Sequence, residues 1–300
     1  MSDTTPHSAR TSTGRLRAPF GGTNGLAVSR RTRGILKSTV ALAICIPFVY
    51  PIYFLLVTAL KTSKDYVGNE LGFPHPIVFS QFTSAWTSAD LGRGIINSTL
   101  TAAISIVVTI ALAAPAAEVC ARTRSRGKAV ILGLAATVWM VPLIIWIIPL
   151  FVELTRVGLT NNLIVLGVVY GVSNVPLGIF LIYTYMREAV DKEVREAAAV
   201  DGAEPRHVFF RISLPLSRPV LVVVAVLGFI WAWGDLLIAT VLIQSNNYWT
   251  VTMDAANFSQ KIVTIQAQAA AAILAILPLV LLFAVAQKGI VKGLVTVSHR

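Results

Sequence analysis

The first long apolar stretch of the chain, STVALAICIPFVYPIYFLLVTAL at residues 38–60, contains no charged side chain. An α-helix needs about 20 predominantly apolar residues to cross a hydrocarbon layer of about 30 Å. This stretch therefore predicts a membrane-spanning helix, and the rest of the chain repeats the pattern.

Five further apolar stretches follow, each long enough to span a bilayer as a helix. They lie at residues 94–117, 129–152, 157–186, 216–243 and 262–287. Strands of a membrane barrel would alternate polar and apolar residues over about 10 positions, and these stretches do not. We expect an all-α integral membrane protein, a bundle of six transmembrane helices.

The composition agrees with a membrane protein. Of the 300 residues, 55% are hydrophobic and 13% are charged, and the mean hydropathy is +0.73. Soluble domains carry about 25% charged residues, so a soluble enzyme, a disordered chain and a disulfide scaffold are disfavoured. The net charge of the chain is +11. In a membrane protein such an excess of basic residues usually lies in the cytoplasmic loops, so it does not indicate a nucleic-acid partner.

The residues that usually carry catalysis or bind metals do not form known patterns. Cys45 and Cys120 lack CxxC spacing, and none of the four histidines lies in a metal-ligand motif. No P-loop sequence is present, so the chain is not expected to hydrolyse ATP by that route. We expect no metal, no cofactor and no catalytic site, and hence a membrane subunit that is not an enzyme.

The distribution of Lys and Arg predicts the orientation of the bundle. Twenty of the 25 lie in the two terminal segments and in the loops after the second and fourth spans. Cytoplasmic loops carry such an excess, so both termini of this multi-pass protein are placed in the cytoplasm. Residues 1–35 are predicted to be a disordered cytoplasmic tail, although an organelle transit peptide has a similar composition. Residues 36–294 form the transmembrane domain, and residues 295–300 form a short cytoplasmic tail.

The loop at residues 187–219, between the fourth and fifth spans, has six basic and six acidic residues. Because a membrane-surface helix would be one-sidedly basic, this balance favours a folded docking element. We expect a helix over 188–199 and a break at Asp201 and Gly202. A second short helix should reach Arg211, with Asp201 and Glu204 forming a capping box at its start.

The same loop carries a specific motif. The motif consists of Glu196-Ala197-Ala198, then Gly202, then Ile212, Leu214 and Pro215. These residues match every fixed position of the EAA loop of ABC importer permeases, which this stretch therefore resembles. The resemblance implies that the loop is a coupling helix that sits in a cleft of a cytoplasmic ATPase subunit. The residues that it implies for this contact are Glu196, Ala197, Ala198, Asp201, Gly202, Ala203, Val208, Phe209 and Pro215.

Most of the chain, residues 36–294, resembles the second permease subunit of maltose-type carbohydrate importers. Leu60-Lys61-Thr62, Asn97-Ser98, Met140-Val141-Pro142 and Ile148-Pro149-Leu150 carry this resemblance. Two segments depart from it: Trp233-Gly234-Asp235 replaces a Trp-Asn-Asp or Trp-Asn-Glu run, and residues 295–300 lack the usual Gly-Ala-x-Lys-Gly run.

The resemblance implies an ATP-driven importer of a sugar or related carbohydrate in the inner (plasma) membrane of a prokaryote, in which this subunit forms half of the translocation pathway. It implies three partners: a second homologous permease subunit in a heterodimer, a dimer of cytoplasmic ATP-binding subunits, and an extracytoplasmic solute-binding protein. Residues 245–263 resemble the loop that meets the binding protein, and a plain solvated loop fits them as well.

Asp235 is the one acid well inside an apolar stretch, and Trp231 and Trp233 flank it. A charge in a span usually faces protein or a water-filled cavity, so these three residues are candidates for the translocation pathway. They equally fit an interfacial residue at a helix break beside an aromatic belt.

An ion-coupled secondary transporter for a small solute is the alternative function. That class predicts several ionisable groups inside the membrane and inverted internal repeats. The sequence has one such acid and no evident repeat.

Overall fold

The structure, a computed structural model, describes residues 30–123, 126–190, 192–261 and 264–297. Every regular element in these ranges is a helix, which confirms the predicted all-α class. The helices, in chain order, are α1 (Arg30–Ala59), α2 (Ser63–Gly68), α3 (Ser80–Ser88), α4 (Leu91–Arg122), α5 (Arg126–Met140), α6 (Leu143–Arg156), α7 (Leu163–Ala189), α8 (Lys192–Val200), α9 (Pro205–Val208), α10 (Leu214–Leu216), α11 (Arg218–Gly234), α12 (Leu237–Leu242), α13 (Val251–Lys261) and α14 (Ile265–Val297).

The structure describes only part of the predicted N-terminal tail at residues 1–35. Helix α1 begins at Arg30, so residues 30–35 are helical, and the part of α1 that could span a membrane begins at Lys37. Residues 1–29 of that tail and residues 298–300 lie outside the described residues. The residues that the structure describes fall into two units, one ending at Tyr50 and the other beginning at Pro51. Helix α1 begins in the first unit, and the packing described below belongs entirely to the second.

Four helices are long and apolar enough to cross a membrane without interruption: α1, α4, α7 and α14. Two further spans are possible as bent pairs, α5 with α6 and the segment Pro205–Leu216 with α11, so the total reaches six if each pair counts as one span. The third and fifth apolar stretches are therefore not the single helices that the sequence predicts.

Proline and a helix break account for these differences. Pro142 lies between α5 and α6, which meet at 92°, because proline has no N–H to donate and restricts the residue before it. In the fifth stretch α11 ends at Gly234, the backbone of Asp235 is extended, and a separate short helix α12 follows.

The centre of the second unit is the close pair α4 and α7. A Cβ atom built on Gly171 would lie only 2.6 Å from Val108 Cβ, and one on Gly167 would lie 2.7 Å from Ile104 Cβ. The contacts advance in the same direction along both helices, so α4 and α7 run parallel. Their backbones lie in direct contact. Small residues allow this approach in membrane helices.

Polar contacts gather at the two ends of this packed bundle. One end brings together the end of α4 and the loop from α8 to α10. The other end brings together the start of α4 and the segments that follow α6 and α12. The segment after α4 and the loop after α7, which the sequence predicts to be cytoplasmic, therefore lie at the same end of the bundle.

Candidate functional site

The predicted coupling loop begins with α8, which contains Glu196, Ala197 and Ala198. Gly202 ends this helix with φ of +76°, in the left-handed region that glycine adopts without penalty. The N–H of Gly202 donates to Ala199 O at 3.1 Å, and the N–H of Ala203 donates to Ala198 O at 2.9 Å. These two bonds form a Schellman motif, which satisfies the last carbonyl groups of the helix. The positive φ of the backbone at position 202 therefore accounts for the glycine of the motif.

The second limb of the loop runs from Pro205 to Leu216. It is α-helical at both ends and has a π-helical turn over Phe209–Ser213 between α9 and α10. The predicted capping box is wrong: Glu204 precedes α9 and no side chain caps it. Asp201 instead lies in the turn that ends α8, because the Schellman motif extends through Ala203 and delays the start of the second helix.

The loop divides its apolar residues between the bundle and solvent. Val208 is only 4% exposed and Phe209 is half-buried against the core formed by α4 and α7. By contrast, Val200 is 87% exposed and Phe210 is 64% exposed. The expectation that Val208 and Phe209 fill a partner contact is therefore corrected for Val208, because the bundle itself buries that side chain. Val200 and Phe210 are more exposed than the other large apolar side chains described in the loop.

A buried carboxylate at the end of α4 holds the loop to the bundle, and the sequence reasoning missed it. Glu118 Oε1 lies 2.6 Å from Arg122 Nε and accepts a hydrogen bond from Ser213 Oγ at 3.0 Å. Its other oxygen, Oε2, lies 3.4 Å from Arg195 Nη2 on α8. An acidic residue within an alanine-rich apolar helix was the signal that could have found it, since such a charge needs partners.

A cavity of about 730 Å³ separates the loop from the ends of α4 and α7. The basic side chains in its wall are Arg122, Lys128, Arg187 and Arg195, and Glu196 is the acidic one. Arg122 and Arg195 already pair with Glu118, and Lys128 lies 4.7 Å from the centre of the Tyr183 ring. The wall of this cavity is therefore mainly basic, and α4, α5, α7 and α8 each contribute one of its cations.

The three candidate pathway residues do not share one environment. Trp231 is half exposed. Trp233 is buried, stacks on Phe229 with ring centres 5.0 Å apart, and donates its indole N–H to Ala275 O at 3.0 Å. Trp233 therefore packs α11 against α14, which leaves Trp231 and Asp235 as the candidates whose side chains are at least partly accessible.

Asp235 lies at the break between α11 and α12. Its Oδ2 accepts hydrogen bonds from the Tyr170 hydroxyl at 2.8 Å and from Ala239 N at 3.0 Å. The carboxylate thus satisfies the start of α12 and links it to α7. Tyr170 was not anticipated from the sequence, because it lies 65 residues away in the chain.

At the opposite end, two side chains of α4 fasten the segment before α13. Asn97 Nδ2 donates to Asn247 O at 3.2 Å and to Trp249 O at 2.8 Å, and Ser98 Oγ accepts from Val251 N at 2.9 Å. The resemblance at Asn97-Ser98 therefore corresponds to a structural anchor for this loop.

Asp254 on α13 is buried beside this anchor. Burial raises the pKa of its carboxyl group to about 7, an effect that nearby Arg93 reduces and Asp90 reinforces. A carboxyl group with this pKa is half protonated near neutral pH, so this end of the bundle contains a group that titrates in the physiological range.

No group of three or more His, Cys, Asp or Glu residues within the described ranges is placed to hold a metal ion.

Comparison with known proteins defines the class. Residues 109–295 match the family described as binding-protein-dependent transport system inner membrane component. This match covers more than half of the chain, so the protein belongs to that family and is a membrane permease subunit.

Individual relatives agree. The chain is 29% identical over 269 residues to the melibiose/raffinose/stachyose import permease protein MelC of Bacillus subtilis, a match that covers 89% of this chain and 97% of MelC. It is 30% identical over 247 residues to the trehalose transport system permease protein SugB of Mycobacterium tuberculosis, covering 81% of this chain and 89% of SugB.

The fold also has a solved counterpart. A crystal structure of a bacterial ABC transporter involved in the import of the acidic polysaccharide alginate contains a similar chain, with a TM-score of 0.73. The sequence identity is 21%, and the match covers 87% of this chain and 98% of that chain. At this identity the likeness establishes the fold alone, and it confirms the expected permease architecture.

Proposed function

We propose that this chain is the permease subunit of an ATP-driven importer for a disaccharide, an oligosaccharide or a related carbohydrate. It forms half of the translocation pathway beside a second homologous permease subunit. A dimer of cytoplasmic ATP-binding subunits supplies the energy, and an extracytoplasmic solute-binding protein delivers the substrate. The subunit lies in the inner (plasma) membrane with both termini in the cytoplasm.

The coupling loop is the observation that supports this proposal most directly. Its two helical limbs, α8 and the segment Pro205–Leu216, meet at Gly202 and expose Val200 and Phe210. An exposed apolar pair on a loop that is itself fastened to the bundle has the form of a docking element. Large apolar side chains that remain exposed in one subunit often mark a partner interface.

The substrate class rests on the relatives. The names of MelC and SugB assign them melibiose, raffinose, stachyose and trehalose, and a further relative from Streptomyces coelicolor, NgcG, is a diacetylchitobiose uptake permease. Trp231 offers an aromatic face on which the neutral sugar rings of such substrates stack, and the partly accessible carboxylate of Asp235 accepts hydrogen bonds from sugar hydroxyl groups.

The test is uptake in the host after deletion of the gene. Radiolabelled melibiose, raffinose, trehalose and diacetylchitobiose are supplied in turn, and the deletion strain is complemented with the wild-type chain or with Glu196→Lys. We expect uptake of at least one sugar to depend on the wild-type chain and to fail with Glu196→Lys, although both chains reach the membrane in equal amounts.

A second measurement separates ATP-driven import from the ion-coupled alternative. Uptake should persist when a protonophore collapses the ion gradients but ATP is maintained, and an ATP-binding subunit should co-purify with the chain. Uptake that stops with the protonophore and needs no co-purified subunit would instead establish a secondary transporter.

A further inference from the structure

Polar contacts at the end of α4 attach the coupling loop to the bundle. Helix α8 is bounded by Asp191 on one side, outside the described residues, and by the turn at Gly202 on the other. An ion pair joins α8 to the membrane-spanning helix α4, and it is formed by Arg195 and Glu118.

Glu118 contacts both limbs of the loop at once. Oε2 pairs with Arg195 on α8, and Oε1 accepts the hydroxyl of Ser213 in the π-helical turn of the second limb. Arg122, which shares Oε1, also donates from Nη2 to Pro205 O at 3.3 Å. One carboxylate and its neighbouring guanidinium thus reach three points of the loop.

The burial of this cluster makes the contacts difficult to replace with water. The side chain of Glu118 is 5% exposed and that of Arg195 is 15% exposed, and Ser213 is fully buried. Removing one partner of a buried charge pair leaves the other charge uncompensated, which destabilises the arrangement far more than loss of an exposed pair does.

We infer that Glu118 is the positioning residue of the coupling loop: it fixes α8 and the second limb to α4, so that force applied to the loop moves the spans. The inference rests on the proposed function for its consequence in transport, and on the geometry alone for the fixed position of the loop. Without the Glu118 carboxylate, the loop would move independently of α4.

A distance measurement tests the fixed position without any substrate or partner. Spin labels are attached at Val200→Cys on α8 and Leu112→Cys on α4, both at exposed positions, in the full chain with Cys45→Ser and Cys120→Ala, reconstituted in lipid nanodiscs. We expect one narrow distance distribution in the parent and at least a twofold broader one in Glu118→Gln. A distribution in Glu118→Gln as narrow as in the parent would overturn the inference.

Two further variants identify the contact. Arg195→Gln should broaden the distribution to the same extent, and Glu118→Gln combined with Arg195→Gln should add little, because both changes remove one and the same pair. Full additivity of the two changes would contradict the pair. Glu153→Gln is the matched control, since it neutralises a glutamate whose i,i+3 partner Arg156 is exposed, and it should leave the distribution narrow.

Should Glu118→Gln fail to insert into the membrane, Ser213→Ala and Arg195→Gln still decide the question. Ser213→Ala removes one neutral donor to Oε1 and creates no unpaired charge, so a smaller broadening than that of Arg195→Gln is expected. Narrow distributions in both variants would overturn the inference.

The consequence for transport is a loss of coupling. For a sugar that the wild-type chain carries among the four named above, we expect Glu118→Gln to lower the number of sugar molecules imported per ATP hydrolysed at least tenfold, with unchanged co-purification of the ATP-binding subunit. An unchanged ratio would contradict the positioning role. If no ATP-binding subunit co-purifies with the wild-type chain, the proposed function fails, and the distance measurement alone decides the position of the loop.

Discussion

At the scale of single residues, Gly202 shows how a motif position acquires its identity. A Cβ atom at this position would meet nothing within 4 Å, so space does not require glycine. The positive φ does, because an L-residue in the left-handed helical region loses about 1–2 kcal/mol. The turn that reverses the coupling loop therefore depends on backbone conformation alone.

Because the backbone conformation at Gly202 requires glycine and the surrounding space does not, two substitutions at this position should reduce uptake to different extents. Gly202→Ala should destabilise the turn by about 1 kcal/mol and reduce uptake partially, whereas Gly202→Pro, whose φ is fixed near −65°, should abolish uptake while membrane insertion stays normal. Gly133→Ala is the control: it too has open space around it but lies within α5. Uptake by Gly202→Pro at the wild-type rate would show that the turn is not needed.

Asp254 supports a second prediction at this scale. Its pKa in the folded protein, about 7, exceeds the ordinary value near 3.9, so the folded state binds the proton more tightly than the unfolded state. The contribution of this group to stability therefore declines as the pH rises from about 4 to 7 and stays low above 7. At about 1.4 kcal/mol for each pKa unit, the decline is at most about 4 kcal/mol.

The measurement is the thermal stability of the purified protein between pH 5 and pH 8. We expect the melting temperature of the wild type to fall with rising pH more steeply than that of Asp254→Asn, which cannot ionise. Glu153→Gln, a change at an exposed carboxylate, should keep the wild-type slope. Equal slopes in the wild type and in Asp254→Asn would rule out the titration of this group.

At the scale of elements, the close contact between α4 and α7 depends on glycine residues of α7, which have no side chain. At Gly171 an added Cβ would lie 2.6 Å from Val108 Cβ and 2.9 Å from Ser105 O. The latter atom belongs to the backbone and cannot rotate away. The same close approach allows Thr109 Oγ1 to donate to Gly171 O at 2.9 Å, a buried hydrogen bond between the two helices.

Gly171→Leu should therefore force the two helices apart. Overpacking of a tight core costs about 1–3 kcal/mol, and loss of the Thr109 hydrogen bond adds about 1 kcal/mol. We expect a lower yield of monodisperse protein and a lower melting temperature in detergent. Gly133→Leu, at a glycine with open surroundings, should behave as the wild type; a similar loss in both variants would show that the contact is not specific.

The elements also show where sequence reasoning reaches its limit. The apolar stretches predicted the spans because length and hydropathy are local properties, and the EAA motif located the loop. The sequence left a helix break at Asp235 as one of two interpretations, since an acid within an apolar run fits either a helix break or a side chain that faces a cavity. Glu118 and Tyr170 were missed because their partners Arg195 and Asp235 lie 77 and 65 residues away.

At the scale of the whole molecule, the structure groups the loops by end of the bundle. Arg122, Pro205 and Ser213 meet at one end, and Asn97, Asn161 and Gln244 lie in the loop contacts of the other. The grouping follows from helix packing and uses no charge rule. It coincides with the division of Lys and Arg, so two independent arguments assign the same loops to the same side.

Which end faces the cytoplasm is then decided by one measurement. Val200→Cys in the coupling loop and Val67→Cys at the end of α2 place single thiols at strongly exposed positions, after Cys45→Ser and Cys120→Ala. The excess of Lys and Arg predicts that a membrane-impermeant maleimide labels Val67→Cys in right-side-out vesicles and Val200→Cys in inverted vesicles. The reverse result would place the coupling loop outside the cell, where no ATP-binding subunit could reach it, and would exclude ATP-driven import through this loop.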